Sequence, residues 1–198
     1  MRGVAPECVP RHTQGMTTSA EDRTLILLRH AETEPGRAGQ DDRERPLTER
    51  GREDALEVGR WLREQGLGCD EVVCSPAQRA RETMLEVAEA GCPETEVQIE
   101  HRLYNADAED VLVVVRGSTN DASVVLLIGH APGLPAAASL LADGEGRDEA
   151  HELLSRGFPP AALAILRFSG RWADLDFGAA VLDEFRLPQA SGDLVQRR

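Results

Sequence analysis

The sequence predicts one α/β domain, a three-layer sandwich in which a mostly parallel sheet carries helices on both faces. Its 198 residues suit a single compact domain with a sizeable core. Three short, continuous apolar runs, at 24–28, 71–74 and 124–128, are typical of buried strands. Each run is followed by a segment with the start signal or the apolar spacing of a helix. Strands that alternate with helices in this way favour a mostly parallel sheet.

Two of the helices have recognisable beginnings. Thr48 can cap a helix that runs to about Gln65 and has one apolar face. Ser75 and Pro76 predict the start of a second helix, which runs to about Ala90, with Ser75 as its cap and Pro76 in its first turn.

The rest of the chain is assigned by its apolar spacing and by its glycine and proline content. Further helices are predicted at 108–115 and 134–141, and further strands at 97–99, 161–168 and 180–185. The last of these strands is expected at an edge of the sheet. Residues 143–160 are charged and rich in glycine and proline, which predicts a loop or a small insertion.

The two ends of the chain are predicted to lie outside the domain. Residues 1–22 are polar and without periodicity, so we expect a disordered tail, and Met16 is an alternative start. The domain is expected over 23–188, with a C-terminal tail over 189–198. The N-terminal residues carry scattered charges and no apolar core of a signal peptide. The four cysteines form no CxxC pair and are expected as thiols in the cytoplasm.

The charge of the chain excludes several classes of function. There are 22 Lys+Arg against 35 Asp+Glu, a net charge of −13, and every basic residue is arginine. Without lysine, the chain cannot form a Schiff base, hold pyridoxal phosphate through an aldimine or build a Walker-type phosphate loop. An acidic surface disfavours nucleic acid and membrane as partners. Any phosphate chemistry therefore requires a local cationic pocket.

Polar side chains follow the three apolar strands at the point where each strand ends. The first strand leads into Arg29 and His30, the second into Ser75 with Arg79 one turn later, and the third into His130. Each feature alone could be incidental, but ligands bind beyond the carboxyl ends of strands in open α/β sheets. We expect the two histidines and the two arginines to gather at one sheet edge.

These residue types suit phosphoryl transfer. A guanidinium group binds phosphoryl oxygens through two parallel hydrogen bonds. Imidazole is a nucleophile and a proton carrier near neutral pH. The sequence contains no cysteine and histidine cluster with metal-ligand spacing. Attack of a histidine on phosphorus, with no metal ion and no cofactor, is therefore the chemistry that the residues favour.

Five motifs, in this order, resemble the histidine phosphatase (phosphoglycerate-mutase-like) superfamily, and in particular its SixA-type phosphohistidine phosphatase branch. They span about residues 24–141. The motifs are Leu28-Arg29-His30-Ala31, Arg45-Pro46-Leu47-Thr48-Glu49-Arg50-Gly51, Cys74-Ser75-Pro76-Ala77-Gln78-Arg79-Ala80-Arg81-Glu82-Thr83, Leu103-Tyr104-Asn105-Ala106 and Ile128-Gly129-His130-Ala131-Pro132-Gly133.

The resemblance implies a role for each matched residue. His30 would be the nucleophile that forms a phosphohistidine intermediate, Arg29 and Arg79 would bind the phosphoryl oxygens, and His130 would stabilise the transferring group. Ser75 is interpreted first as a helix cap and second as a hydroxyl of the substrate pocket.

Four further aromatic or imidazole side chains are left out of the predicted catalytic set. Tyr104 belongs to the branch's Leu-Tyr element, where packing is at least as good an interpretation as catalysis. His12, His101 and His151 match no motif and are expected on the surface or in the tail.

The sequence departs from the mutase-like members of the superfamily. Glu34-Pro35-Gly36 stands where those members have an asparagine, and the acidic residue of their later segment has no counterpart. Sugar-phosphate mutase activity is therefore not expected. The candidates for a general acid stay open among Glu32, Asp42, Glu100 and Asp107.

The resemblance implies a metal-independent phosphatase that acts on phosphohistidine protein. Two other functions stay open at this point. One is a broad phosphatase for small phosphate esters, and the other is a non-catalytic module that binds phosphate or a phosphoprotein.

Overall fold

A computed structural model describes residues 22–91 and 95–188. The predicted tails, residues 1–22 and 189–198, lie outside these ranges except for Asp22, which begins the first strand. In chain order the strands and helices are β1 (Asp22–Arg29), α1 (Glu49–Glu64), β2 (Glu71–Cys74), α2 (Gln78–Ala90), β3 (Val97–Ile99), α3 (Ala108–Arg116), β4 (Val124–Gly129), α4 (Gly133–Leu141), β5 (Ala142–Gly146), α5 (Asp148–Arg156), β6 (Leu163–Ser169) and β7 (Ala180–Arg186). Short 3₁₀ turns lie at Asp42–Glu44, His101–Leu103 and Trp172–Asp174.

The described strands form one sheet in the order β3-β2-β4-β1-β6-β7-β5. The pairs β1–β4, β2–β4, β2–β3 and β5–β7 are parallel, whereas β6 pairs antiparallel with both β1 and β7. The prediction of a mostly parallel α/β sheet is confirmed. The carboxyl ends of β1, β2 and β4, the three strands with polar side chains beyond them, are therefore neighbours at one sheet edge.

Two apolar clusters fill the space on either side of the sheet. On one face, α1 and α2 pack through residues such as Val58, Leu62 and Val87. On the other face, α3, α4 and α5 pack through residues such as Val111 and Leu134. Helices on both faces make the predicted three layers.

The helix α1 forms as predicted. The Thr48 hydroxyl accepts a hydrogen bond from the Gly51 backbone N–H at 2.9 Å, and the buried face of the helix includes Ala55, Val58 and Leu62. Thr48 N–H also bonds to the carbonyl of Glu32, which fixes the start of α1 next to the loop that follows β1.

Three expectations about local structure were wrong. Residues 143–160 are not simply a loop, because β5 and α5 lie within 142–156. The strand β7 is not at an edge, because β5 pairs with its outer side. Ser75 does not cap α2, which begins at Gln78 with Ala77 in the cap position and no side-chain cap. The Ser75 hydroxyl makes a tertiary contact instead.

No helix in the described ranges combines the length and the apolar character needed to cross a membrane.

Candidate active site

The structure brings the predicted site residues together beyond the carboxyl ends of β1, β2 and β4. The rings of His30 and His130 lie with their centroids 5.0 Å apart. The positive charges of Arg29 and Arg79 contribute to lowering the pKa of both histidines. The Ser75 hydroxyl lies 2.7 Å from Nε2 of His130. The sequence-based expectation that these side chains gather at one edge of the sheet therefore agrees with the geometry.

The ring of His30 is held in one orientation by a hydrogen bond at one of its nitrogens. Its Nδ1 lies 2.8 Å from the carbonyl oxygen of Ala31, and a carbonyl can only accept a hydrogen bond. Nδ1 therefore carries the proton, and the lone pair is on Nε2. Burial, together with the neighbouring positive charges, lowers the pKa of His30 to about 3. The ring is neutral near pH 7, with Nε2 ready to act as a nucleophile.

The backbone on both sides of His30 is fixed by neighbouring elements. The N–H of His30 donates to the carbonyl of Gly129, at the end of β4. The N–H of Ala31 donates to Oγ1 of Thr83 at 3.0 Å, and that hydroxyl donates to the carbonyl of Arg79 at 2.7 Å. Thr83 thereby ties the β1 end to the helix α2 that carries Arg79.

The two ring nitrogens of His130 differ in their contacts. Its Nε2 is engaged by Ser75, whereas its buried Nδ1 has no hydrogen-bond partner among the described residues. The ring of Tyr104 packs edge-on against it, with centroids 5.6 Å apart. Burial and the charge of Arg79 lower the pKa of His130 to about 4, so this ring is also neutral near pH 7.

Arg29 lies between the site and a neighbouring cavity. Its Nη1 donates to the carbonyl of Phe158 at 2.6 Å, and its buried Nε has no partner within the described ranges. Burial lowers the pKa of this guanidinium. The cavity has a volume of about 400 Å³, and its walls are largely apolar, with Leu153, Phe158 and Leu187 among them.

Arg79 is buried, and its guanidinium faces Asp42. Nη1 donates to the backbone carbonyl of Asp42 at 2.6 Å, and Nη2 donates to its carboxylate oxygen Oδ2 at 2.9 Å. The same Oδ2 accepts from the Tyr104 hydroxyl at 3.0 Å, and Oδ1 accepts from Arg45 at 3.0 Å. Partial burial alone would raise the pKa of Asp42, but these donors hold it at about 2. Asp42 is therefore ionised at neutral pH.

The other three candidates for a general acid are engaged elsewhere. Glu100 accepts from the N–H of Arg102 at the start of a 3₁₀ turn, and Asp107 caps α3 in a capping box with Asp110. Glu32 faces Arg50 on the surface, at 4.0 Å.

The sequence did not assign functions to two residues that shape the site. Thr83 lies one turn after Arg79 on α2, a spacing that places both on one helix face. Arg45 lies three residues after Asp42, a spacing that suits an ion pair. The motifs contained both residues, but a role for either depends on which loops meet in the fold.

The histidines expected to lack a role are away from the paired rings. His101 is exposed in a 3₁₀ turn, and His151 on α5 contacts the carbonyl of Glu145. His12 lies outside the described residues.

Comparisons with known proteins point to one family. The model of the histidine phosphatase superfamily (branch 1) matches residues 25–112. An uncharacterized protein of Mycobacterium leprae is 32% identical over 165 residues, which cover 82% of this chain and 100% of that protein. An uncharacterized protein of Mycobacterium tuberculosis strain H37Rv is 36% identical over 149 residues, covering 75% and 92%.

Solved structures give the same result. A SixA structure from Nakamurella multipartitia is 34% identical, with a TM-score of 0.75, and the match covers 86% of this chain and 99% of that one. The protein histidine phosphatase SixA in complex with tungstate has the same fold, with a TM-score of 0.69 at 22% identity, over 85% of this chain and 99% of that one.

Proposed function

Because the chain belongs to the histidine phosphatase superfamily and is a phosphatase, we propose that His30 is its nucleophile. Nε2 of His30 attacks the phosphorus atom, and a P–N bond forms as the bond to the leaving group breaks. Water then attacks the phosphohistidine, which releases phosphate and returns the electron pair to Nε2. The observation that carries this proposal is the Nδ1–H bond to Ala31, since it leaves Nε2 unprotonated and aimed away from its own backbone.

The neighbouring groups stabilise the transferring phosphoryl group. Arg29 and Arg79 supply guanidinium donors for its oxygens, and the ring of His130 lies next to that of His30, with centroids 5.0 Å apart. Ser75 holds the ring of His130 through Nε2. The positive charge that a metal ion would bring is supplied by the two arginines, so we propose that the reaction needs no metal ion.

The favoured substrate is a phosphohistidine protein. Expulsion of an alkoxide requires a proton from a positioned acid, which contributes about 10²–10⁴-fold to the rate. Asp42 is ionised at neutral pH, and Glu100 and Asp107 hold helix starts. Imidazole leaves with its proton already in place and from a weak N–P bond, so it does not need this acid.

The surroundings of the site suit a substrate larger than a sugar phosphate. Arg29 also lines a cavity of about 400 Å³, whose other walls are largely apolar. That space can admit a protein side chain next to the phosphorylated residue. The cytoplasm, where thiols stay reduced, remains the predicted location.

The test is a comparison of kcat/KM for a phosphohistidine protein, para-nitrophenyl phosphate and glycerol phosphate, each with and without a chelator. We expect the phosphohistidine protein to be preferred over glycerol phosphate by a wide margin, and the chelator to have no effect. Equal efficiency on glycerol phosphate would overturn the proposed substrate, and loss of activity with chelator would overturn metal independence.

The nucleophile is tested by trapping the intermediate. Acid-labile, base-stable phosphate should appear on His30 after rapid quenching, and His30→Ala should abolish both the label and turnover. His101→Ala is the matched control, because that histidine is exposed outside the site. Label on Ser75, or turnover by the His30 variant, would contradict the assignment. Bound phosphate with no turnover by the unmodified protein would instead favour a binding module.

A further inference from the structure

The guanidinium of Arg79 already holds an anion in the structure, and that anion belongs to the protein. Two of its nitrogen atoms donate to Asp42, Nη1 to the backbone carbonyl and Nη2 to the carboxylate. Arg79 is a buried side chain, whereas the carboxylate side chain is half-exposed, so the arginine is the fixed partner and Asp42 the more accessible one. The contact joins a 3₁₀ turn, Asp42–Glu44, to the first turn of α2.

The half-exposed carboxylate of Asp42 borders the site through its hydrogen-bond donors. Its Oδ2 also accepts from the hydroxyl of Tyr104, whose ring packs edge-on against His130. Its Oδ1 accepts from Arg45, so both carboxylate oxygens are bound by cationic or hydroxyl donors. Such a set of donors around one anion is the kind of set that a phosphoryl group requires.

We infer that Asp42 is an internal competitor of the phosphoryl group: its carboxylate occupies a donor of Nη2 of Arg79, and a phosphoryl group that takes this donor must displace it. The inference rests on the role of Arg79 in the proposed function. Two anions cannot accept the same N–H in good geometry, and they repel each other at such distances.

The competition makes Asp42 a specificity-determining residue. A weakly charged anion gains too little from Arg79 to offset the contact that it breaks, whereas a phosphoryl dianion gains more. The same competition weakens the binding of the product, inorganic phosphate, which carries the same charge. The backbone carbonyl of Asp42 can keep Nη1 in place during the exchange, so Arg79 need not lose its orientation.

A general acid at this position would behave differently. An acid must carry a proton at working pH, and its removal would slow substrates with poor leaving groups most. The three donors that hold Asp42 favour its charged form, which is the form that competes and not the form that donates. The two roles therefore predict different results for one substitution. Removal of a competitor tightens phosphate binding, whereas removal of an acid slows the turnover of substrates with poor leaving groups.

The experiment compares Asp42→Asn with Asp41→Asn. Asp41 is exposed and caps the 3₁₀ turn by accepting from the N–H of Arg43, a role that asparagine also performs. Both substitutions remove one negative charge from adjacent residues, and only the first removes the charge from Arg79. The dissociation constant of inorganic phosphate is measured by isothermal titration calorimetry at pH 7. Its inhibition constant is measured against para-nitrophenyl phosphate.

We expect Asp42→Asn to bind phosphate about three- to tenfold more tightly than the unmodified protein, between the effect of an exposed ion pair and that of a charge-assisted hydrogen bond. Asp41→Asn should change the dissociation constant by less than about twofold. Equal melting temperatures of the two variants show that both are folded.

Three results would overturn the inference. Phosphate binding by Asp42→Asn that is equal to or weaker than that by Asp41→Asn would show that the carboxylate does not compete. A selective loss of kcat on glycerol phosphate would identify Asp42 as an acid. Absence of phosphate binding in all three proteins would overturn the proposed role of Arg79 as well. Because calorimetry needs no turnover, tighter binding would support the inference even if the proposed reaction failed.

Discussion

The two arginines of the site differ in what their guanidinium groups contact. Arg79 donates to Asp42 through two nitrogens, whereas Arg29 donates to the carbonyl of Phe158 and keeps a buried Nε without a partner in the described ranges. The planar guanidinium group directs several N–H donors at once, and Arg79 uses two of them in its contact with Asp42. Lysine would keep the positive charge, but its compact ammonium group lacks the planar arrangement of donors.

We therefore expect Arg29→Lys and Arg79→Lys each to lower kcat/KM by about 10- to 100-fold, the cost of one or two charge-assisted hydrogen bonds. Steady-state kinetics with para-nitrophenyl phosphate measure the effect. Arg81→Lys is the matched control, since Arg81 is exposed on the same helix as Arg79. Near-normal values in both site variants would show that neither guanidinium holds the phosphoryl group.

Burial of His30 also makes the free energy of unfolding depend on pH. The pKa of this histidine is about 3 in the folded protein and near 6.5 in an unfolded chain. Between these values the unfolded chain binds the additional proton, so acid favours unfolding and stability rises with pH. His30→Ala removes this contribution.

The melting temperature of the unmodified protein minus that of His30→Ala should therefore be larger at pH 7 than at pH 5. Differential scanning calorimetry at the two pH values measures it. A difference that is constant or grows towards pH 5 would mean that His30 is not held neutral by burial.

Side chains at the site could be predicted where the signal is the end of an apolar strand, as for Arg29 and His30. The roles of Ser75 and Asp42 could not be predicted in this way. Ser75 has the local sequence of a helix cap, yet its partner His130 lies just beyond the end of β4, far away in the chain. The donors to Asp42 include Arg79 and Tyr104, which are remote in the chain, so no local pattern shows that this carboxyl is ionised.

At the scale of elements, α1 and α2 touch at two glycines. A Cβ on Gly59 would lie 2.6 Å from the carbonyl oxygen of Val87 and 2.8 Å from Cβ of Ala90. A Cβ on Gly91 would lie 2.4 Å from the carbonyl oxygen of Gly59. The close approach of these helices therefore requires both positions to lack a side chain, and it holds α2, the helix of Arg79, against α1.

Gly59→Ala tests this contact, because the expected change in the free energy of unfolding is opposite to the usual effect of this substitution in a helix. Alanine in a helix is ordinarily more stable than glycine by about 1 kcal/mol. Here the clash should outweigh that gain and lower the free energy of unfolding by about 1–3 kcal/mol. Chemical denaturation measures it, with Gly68→Ala as the control because an added Cβ meets nothing within 4 Å there. A stabilised Gly59 variant would contradict the close packing.

Elements with continuous apolar runs, β1, β2 and β4, could be predicted within one or two residues, because their burial on both faces leaves a strong signal. The strand β5 leaves none: its sequence is Ala-Asp-Gly-Glu-Gly, most of it is exposed, and Gly144 and Gly146 have positive φ values. It pairs with β7 through Ala142 and Gly146, with an irregularity between them. A strand defined by its partner, and not by its own residues, has no sequence signature.

At the scale of the whole molecule, the domain is expected not to need the beginning of the chain. Residues 1–15 are polar and aperiodic and precede the first strand, so they can bury little apolar surface. A protein that begins at Met16 should match the full chain in melting temperature and in kcat/KM. A loss of several degrees would show that these residues pack on the domain.

The strand pairing at the site also bears on how fast the molecule folds. Leu28 pairs with Ile128, Cys74 pairs with the same Ile128, and Leu28 pairs on its other side with Leu163. Each pair joins residues that are far apart in the chain. The chain loses conformational entropy when they are brought together, before the new contacts compensate for that loss. His30, Arg79 and His130 come into register only after these closures. Recovery of activity during refolding should thus follow the slow formation of the central sheet, and not the faster formation of the helices.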